Sequence, residues 1–188
     1  MVAALIVRPE ALELRDMGGA VIAALDYRSD PFAALEVLRS ALGPESSAEE
    51  FHGSSEVPPT TTYTWDGLAF LERRYVDHWA FAADEPRTLT GSSFDVWVSG
   101  PTAAGIPIEA EGGFVVGMPW STVLAAPGLQ TNPSGCSGPY VDFVTERLDR
   151  PDGAISDRRV AVDFWPDDTA TTLARITAPT TVYEDGCV

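Results

Sequence analysis

The sequence predicts an α+β fold of antiparallel sheets, each covered by a short helix, arranged as two divergent tandem units spanning residues 1–105 and 106–188. Three observations carry this expectation. Short runs of aliphatic and β-branched residues are separated by glycine-rich turns. One well-capped amphipathic helix follows the first such runs. The order strand, Gly-Gly turn, strand, Pro-aromatic helix start occurs twice.

In order along the chain, Leu5 to Val7, Leu12 to Arg15 and Val21 to Leu25 have strand composition, and Gly18-Gly19 marks a tight hairpin turn between the last two. Asp30 then suits a helix N-cap, Pro31 the first helical position and Gly43 the residue just past the end. Between them Leu35, Leu38 and Leu42 recur at helical spacing, with Phe32 and Ala34 widening the apolar face. Residues 44–62 are acidic, Ser-rich and Pro-containing, which predicts a long surface loop. Thr61 to Trp65 and Leu68 to Leu71 flank Asp66-Gly67, a second hairpin signal. Phe94 to Val98 alternates, with Val96 and Val98 expected in the core and Trp97 directed away from them.

The second unit begins at Ile106 to Ala110, followed by Gly112-Gly113 and Phe114 to Val116. A short helix is expected after Met118-Pro119-Trp120, stopped by Pro127, with Phe32 and Trp120 placed in the core as aromatics of the two helix starts. Tyr140 to Val144, Val160 to Trp165 and Ala174 to Tyr183 complete the strands. Leu12 through Ile22 leading to Asp30-Pro31-Phe32 thus parallels Pro107 through Val116 leading to Met118-Pro119-Trp120, the pattern expected of a duplicated unit.

Composition restricts the partners. The chain has 28 acidic against 12 basic residues, every base being arginine, for a formal net charge of -16. Such a field repels phosphate backbones, so nucleic acid is not an expected partner. Met1 to Val7 is too short to span a bilayer and lacks the charged start and cleavage site of a signal peptide. The two cysteines, Cys136 and Cys187, are expected to form a disulfide closing a loop of roughly fifty residues, worth about 4 kcal/mol in the chain-entropy account. A bonded pair implies an extracellular or cell-envelope location, reached with a leader that precedes residue 1.

No catalytic motif is evident. Only His52 and His78 could serve as imidazole bases; the first lies in the acidic stretch, and the neighbours of the second, Asp77 and Trp79, point to the opposite face of a strand. Ser137 precedes Gly138-Pro139 where a nucleophile elbow would launch a helix. Neither Asp163, Asp167 and Asp168 nor Glu45, Glu49 and Glu50 follow a calcium-loop spacing, and the clustered Cys and His of a zinc site are missing, so neither metal nor cofactor is expected. A carboxylate-dependent hydrolase acting on cell-wall polysaccharide or peptidoglycan is the alternative, with Asp66, Asp95, Asp142 and Asp163 as candidates because aromatic residues flank them.

In outline, the order of elements resembles the tandem helix-plus-sheet architecture of the beta-lactamase inhibitor protein and of small envelope lipoproteins of the SmpA/OmlA type. The stretches Leu129 to Tyr140, Val7 to Glu10 and Leu25 to Asp30 also resemble an uncharacterised group of secreted proteins or lipoproteins of high-GC Gram-positive bacteria. That resemblance implies export and carries no activity. The remaining signal is aromatic: Tyr63, Trp65, Tyr75, Trp79 and Trp97 would form a binding surface on an open sheet face, because Tyr and Trp dominate interface energetics. The expected protein is an exported, non-catalytic binding protein whose partner is another protein or an envelope component.

Overall fold

A strand with one buried face must alternate apolar and polar residues, and a helix must present its leucines three or four apart; both patterns fold here as the chemistry requires. The computed structural model describes residues 1–54, 57–74, 91–131, 137–149 and 155–182. It is an α+β protein with two antiparallel-rich sheets and two helices among these residues. The expected pairing of Cys136 with Cys187, the aromatics Tyr75, Trp79 and Tyr183, and His78 lie outside the described residues.

The strands are β1 (Ala4–Val7), β2 (Ala11–Arg15), β3 (Val21–Asp26), β4 (Ser47–Phe51), β5 (Thr60–Trp65), β6 (Leu68–Arg73), β7 (Phe94–Val98), β8 (Thr102–Ala103), β9 (Ile106–Ala110), β10 (Tyr140–Asp149), β11 (Ile155–Pro166) and β12 (Leu173–Thr181). The helices are α1 (Pro31–Leu42) and α2 (Trp120–Leu124). A five-stranded sheet has the order β3-β2-β1-β9-β8, and a seven-stranded sheet the order β10-β11-β12-β7-β6-β5-β4. Each therefore takes strands from both sides of the 105/106 division. In the larger sheet, β5-β6-β7 and β10-β11-β12 stand back to back, joined through their last strands; in the smaller one β1 and β9 pair in parallel.

The core lies between these layers. Leu5, Val7, Leu12, Leu14 and Ile108 of the smaller sheet, Leu35, Leu38 and Leu42 of α1, and Leu68, Phe70, Phe94, Val96, Val98, Phe164 and Ile176 of the larger sheet belong to one buried cluster. The α1 caps form as expected: the Asp30 carboxylate accepts the Phe32 N–H at 3.0 Å, and the Gly43 N–H donates to the Arg39 carbonyl at 2.9 Å. Gly67 closes the β5–β6 turn at φ +73°, where a Cβ would overlap the Thr102 carbonyl oxygen, so both its conformation and its surroundings require glycine. The entry to α2 is tied to the larger sheet, since the Gly117 N–H donates to the Leu173 carbonyl at 2.8 Å and the Trp120 N–H to the Thr171 carbonyl at 2.8 Å.

Three local expectations are corrected. The acidic stretch contains an edge strand, β4, whose five residues are all exposed; with no buried face, it leaves no alternation in the sequence. Phe32 is 62% exposed and lies outside the core, because the helix turns Ala34, Leu35 and Leu38 inward instead. Phe114 to Val116 contributes only an isolated bridge between Phe114 and Ala110. Trp120 is buried as expected.

Candidate binding face on the seven-stranded sheet

Trp97 is placed by strand alternation. Its neighbours Val96 and Val98 are fully buried, so the indole emerges on the opposite, outer face and is 40% exposed. Register then brings two residues of the second half beside it. Thr177 of β12 lies opposite Trp97, and Arg175, two residues back on the same face, lies opposite Trp165 of β11. The Arg175 guanidinium carbon is 5.4 Å from the centroid of the Trp97 ring and 5.1 Å from that of the Trp165 ring. Two indoles from different strands thus share one cation, each contact being worth about 0.5–2 kcal/mol according to its desolvation. The Nε of Arg175 is buried without a hydrogen-bond partner among the described residues.

Beneath this stack sits Asp163, 2% exposed. One carboxylate oxygen accepts the Trp165 indole N–H at 3.0 Å and the Gly138 backbone N–H at 3.2 Å, while the other accepts the Thr177 hydroxyl. Burial pushes its pKa above the ordinary value, against the opposing pull of its hydrogen-bond donors and the Arg175 charge. The arrangement orients Trp165 and, through it, Arg175. Gly138 is required for close approach, since a Cβ there would overlap the Phe164 carbonyl oxygen.

The structure separates the aromatic residues expected to act together. Cross-strand partners run Tyr63, Phe70, Val96 and Trp65, Leu68, Val98, so Tyr63 and Trp65 share the core face with the two valines and not the outer face with Trp97. Trp65 is 3% exposed and its indole donates to the Gly43 carbonyl at 2.9 Å, joining β5 to the end of α1; it is a core residue and not part of a binding surface. Tyr63 is half-buried, with the Arg39 guanidinium 5.5 Å from its ring centroid and its hydroxyl donating to Glu72 at 3.2 Å. Arg175 was not apparent in the sequence. Its only signal is the alternation Arg175-Ile176-Thr177-Ala178, in which Ile176 and Ala178 are buried.

The carboxylates considered for hydrolysis are dispersed. Asp66 is exposed in the β5–β6 turn, and Asp142 is exposed with its carboxylate accepting the Phe143 N–H at 2.8 Å. Asp95 accepts the Arg73 Nε–H at 2.6 Å and the Ser92 hydroxyl, and Asp163 is committed to the network above. Asp167 closes its own turn, accepting the Thr171 N–H at 2.8 Å and the Thr171 and Thr172 hydroxyls at 2.7 and 2.8 Å; these bonds hold its pKa well below the usual carboxylate range. Among the described residues no group of three or more His, Cys, Asp or Glu side chains is placed to hold a metal ion. No described helix is long and apolar enough to cross a membrane.

No protein-family model matches the chain, and neither the curated proteins nor the solved structures contain a match.

Proposed function

We propose that this protein is an exported, non-catalytic binding protein of the bacterial envelope or extracellular space, engaging another protein or an envelope component through the outer face around Trp97, Arg175 and Trp165. The observation that supports this reading is the shared cation: two indoles and a guanidinium with no carboxylate on its N–H groups among the described residues form a partly exposed amphipathic platform. Trp and Arg are the residue types that most often carry binding energy, because they present large area at small entropic cost. The hydrolase alternative gains nothing from the carboxylate positions, since Asp95 and Asp163 are held by internal partners and Asp66 and Asp142 stand on exposed backbone.

The test compares native chain with Trp97→Ala and Arg175→Gln for retention on purified cell-envelope fractions, with thermal unfolding as the folding control. Retention should fall at least about fivefold in folded variants. Equal retention, or release of soluble sugar or peptide from peptidoglycan by the native chain, would sink the reading. Export is tested separately by intact mass with and without reductant, where a gain of two hydrogens on reduction is expected.

A further inference from the structure

Among the described residues, the four strands at the margins of the two sheets differ in how they meet solvent. Edge strands expose unpaired N–H and C=O groups, and proteins usually protect them with charge, bulges or brevity. β4 carries Glu49 and Glu50, β10 carries Asp142, Glu146 and Arg147, and β8 is two residues long. β3 is six residues long and reads Val21-Ile-Ala-Ala-Leu-Asp26, with no charge before its last residue. Val21 and Ile22 are 48% and 50% exposed, and Met17 in the adjoining turn is 90% exposed.

The hydrogen-bond alternation fixes which backbone groups are open. The Tyr27 N–H donates to the Glu10 carbonyl at 3.2 Å, and pairing continues through Leu12 with Leu25 and Leu14 with Ala23. Leu25 and Ala23 therefore bond inward to β2, and the N–H and C=O of Ala24 and the N–H of Asp26 point to the side on which no described strand pairs, while the Asp26 carbonyl accepts the Ser29 N–H and hydroxyl at 2.9 and 2.7 Å. Charge then selects the occupant. Asp16 and Asp26 stand at the two ends of β3; of the nearby bases, Arg15 is bonded to Glu13 at 2.6 Å and Arg28 follows Asp26 in the next turn, its N–H donating to the Asp26 carboxylate at 2.8 Å. In a parallel pair a second copy of this chain would set Asp26 beside Asp26. A net charge of -16 adds to that repulsion.

We infer that β3 is a strand-addition site for an extended segment of a different, basic protein, one with alternating apolar side chains flanked by Lys or Arg. The main-chain ladder supplies affinity, Val21, Ile22 and Met17 receive alternate apolar side chains, and the net negative charge of the chain favours basic flanks. This surface is distinct from the Trp97 face and does not depend on it.

The probe is a synthetic peptide of alternating valine and threonine with arginine at each end, compared with the same peptide bearing glutamate ends, by titration calorimetry on the full chain. The basic peptide should bind at least about tenfold tighter, with affinity falling as salt rises. Ala24→Pro removes an outward N–H without breaking a bond to β2, so the variant should fold and lose about tenfold or more in affinity. Ile22→Asn provides a second variant that keeps the backbone donor and loses the apolar contact, and should weaken binding by less. Equal binding of the two peptides, or unchanged binding by folded Ala24→Pro, overturns the proposal. A concentration-dependent dimer of the native chain that Ala24→Pro abolishes overturns it in favour of self-pairing.

Discussion

The outer face of the five-stranded sheet and the Trp97–Trp165 patch of the seven-stranded sheet hold their arginines in opposite ways, although elsewhere on the larger sheet Arg73 is ion-paired with Asp95. On the five-stranded sheet, Glu13 accepts two bonds from Arg15 at 2.9 and 2.6 Å, and Arg8 reaches both Glu13 and Glu111. The Arg8 Nε lies 2.8 Å from Glu13 but off the N–H axis, an ionic contact more than an aligned hydrogen bond. On the seven-stranded sheet, Arg175 has aromatic faces in place of carboxylates, and the nearest acid, Asp163, is turned to Trp165, Thr177 and Gly138. Ion pairing leaves a surface whose charges are already satisfied; ring stacking leaves a cation with N–H groups to spare. The difference is why the second face, and not the first, is the candidate binding surface.

The largest expected effect breaks the support of the stacked face. Gly138→Ala should destabilise the protein by about 3 kcal/mol or more in urea unfolding, because the added methyl has no space beside the Phe164 carbonyl. A loss under about 1 kcal/mol would show that residues 137–139 yield without effort.

Next, Arg175→Met should cost about 1–2 kcal/mol and Arg8→Met about 0–1 kcal/mol. Salt sharpens this contrast. In 1 M NaCl the Arg8→Met difference should shrink, since those groups are partly exposed, while the Arg175→Met difference should persist. Equal salt sensitivity would remove the distinction.

Acid titration separates the same two faces. Burial would raise the pKa of Glu13, but the hydrogen bonds and charges of Arg15 and Arg8 outweigh it and hold it low, so its stabilising contribution is present above the ordinary carboxylate range and lost as pH falls through the lowered value. For Asp163 burial wins and the pKa is raised, so the native state binds the proton more tightly than the unfolded chain, and stability is lost as pH rises from the ordinary value through the raised one. Melting curves should therefore show the Glu13→Gln penalty closing on acidification. The native chain should gain on Asp163→Asn over the same descent. Parallel trends would contradict the two assignments.

The smallest effects come from trimming the two indoles of β5 and β7. Trp65→Phe removes the bond to the Gly43 carbonyl and should cost about 1 kcal/mol, while Trp97→Phe should change stability by less than about 0.5 kcal/mol.

Much of the fold is legible in local chemistry. Asp30, Pro31 and Gly43 bound α1, Gly18-Gly19 and Asp66-Gly67 close hairpins, and the alternation around Val96 and Val98 already turns Trp97 outward. The candidate site was legible only in part. Trp97 is visible from its own strand, but Trp65 is exchanged for Arg175 and Trp165, because which aromatics share a face depends on pairing through β6 and β12. β4 leaves no such trace in the sequence, because an edge strand exposed on both faces has no hydrophobic period.

By itself, then, the sequence determined the α+β class, the capped helix, the hairpin turns and the excess of negative charge, all of which follow from residues within a few positions of one another. Tertiary structure decided the parallel union of β1 with β9, the joining of β7 to β12 and the sharing of one guanidinium by two indoles. Those depend on register between strands far apart in the chain, where a shift of one residue turns every side chain to the opposite face.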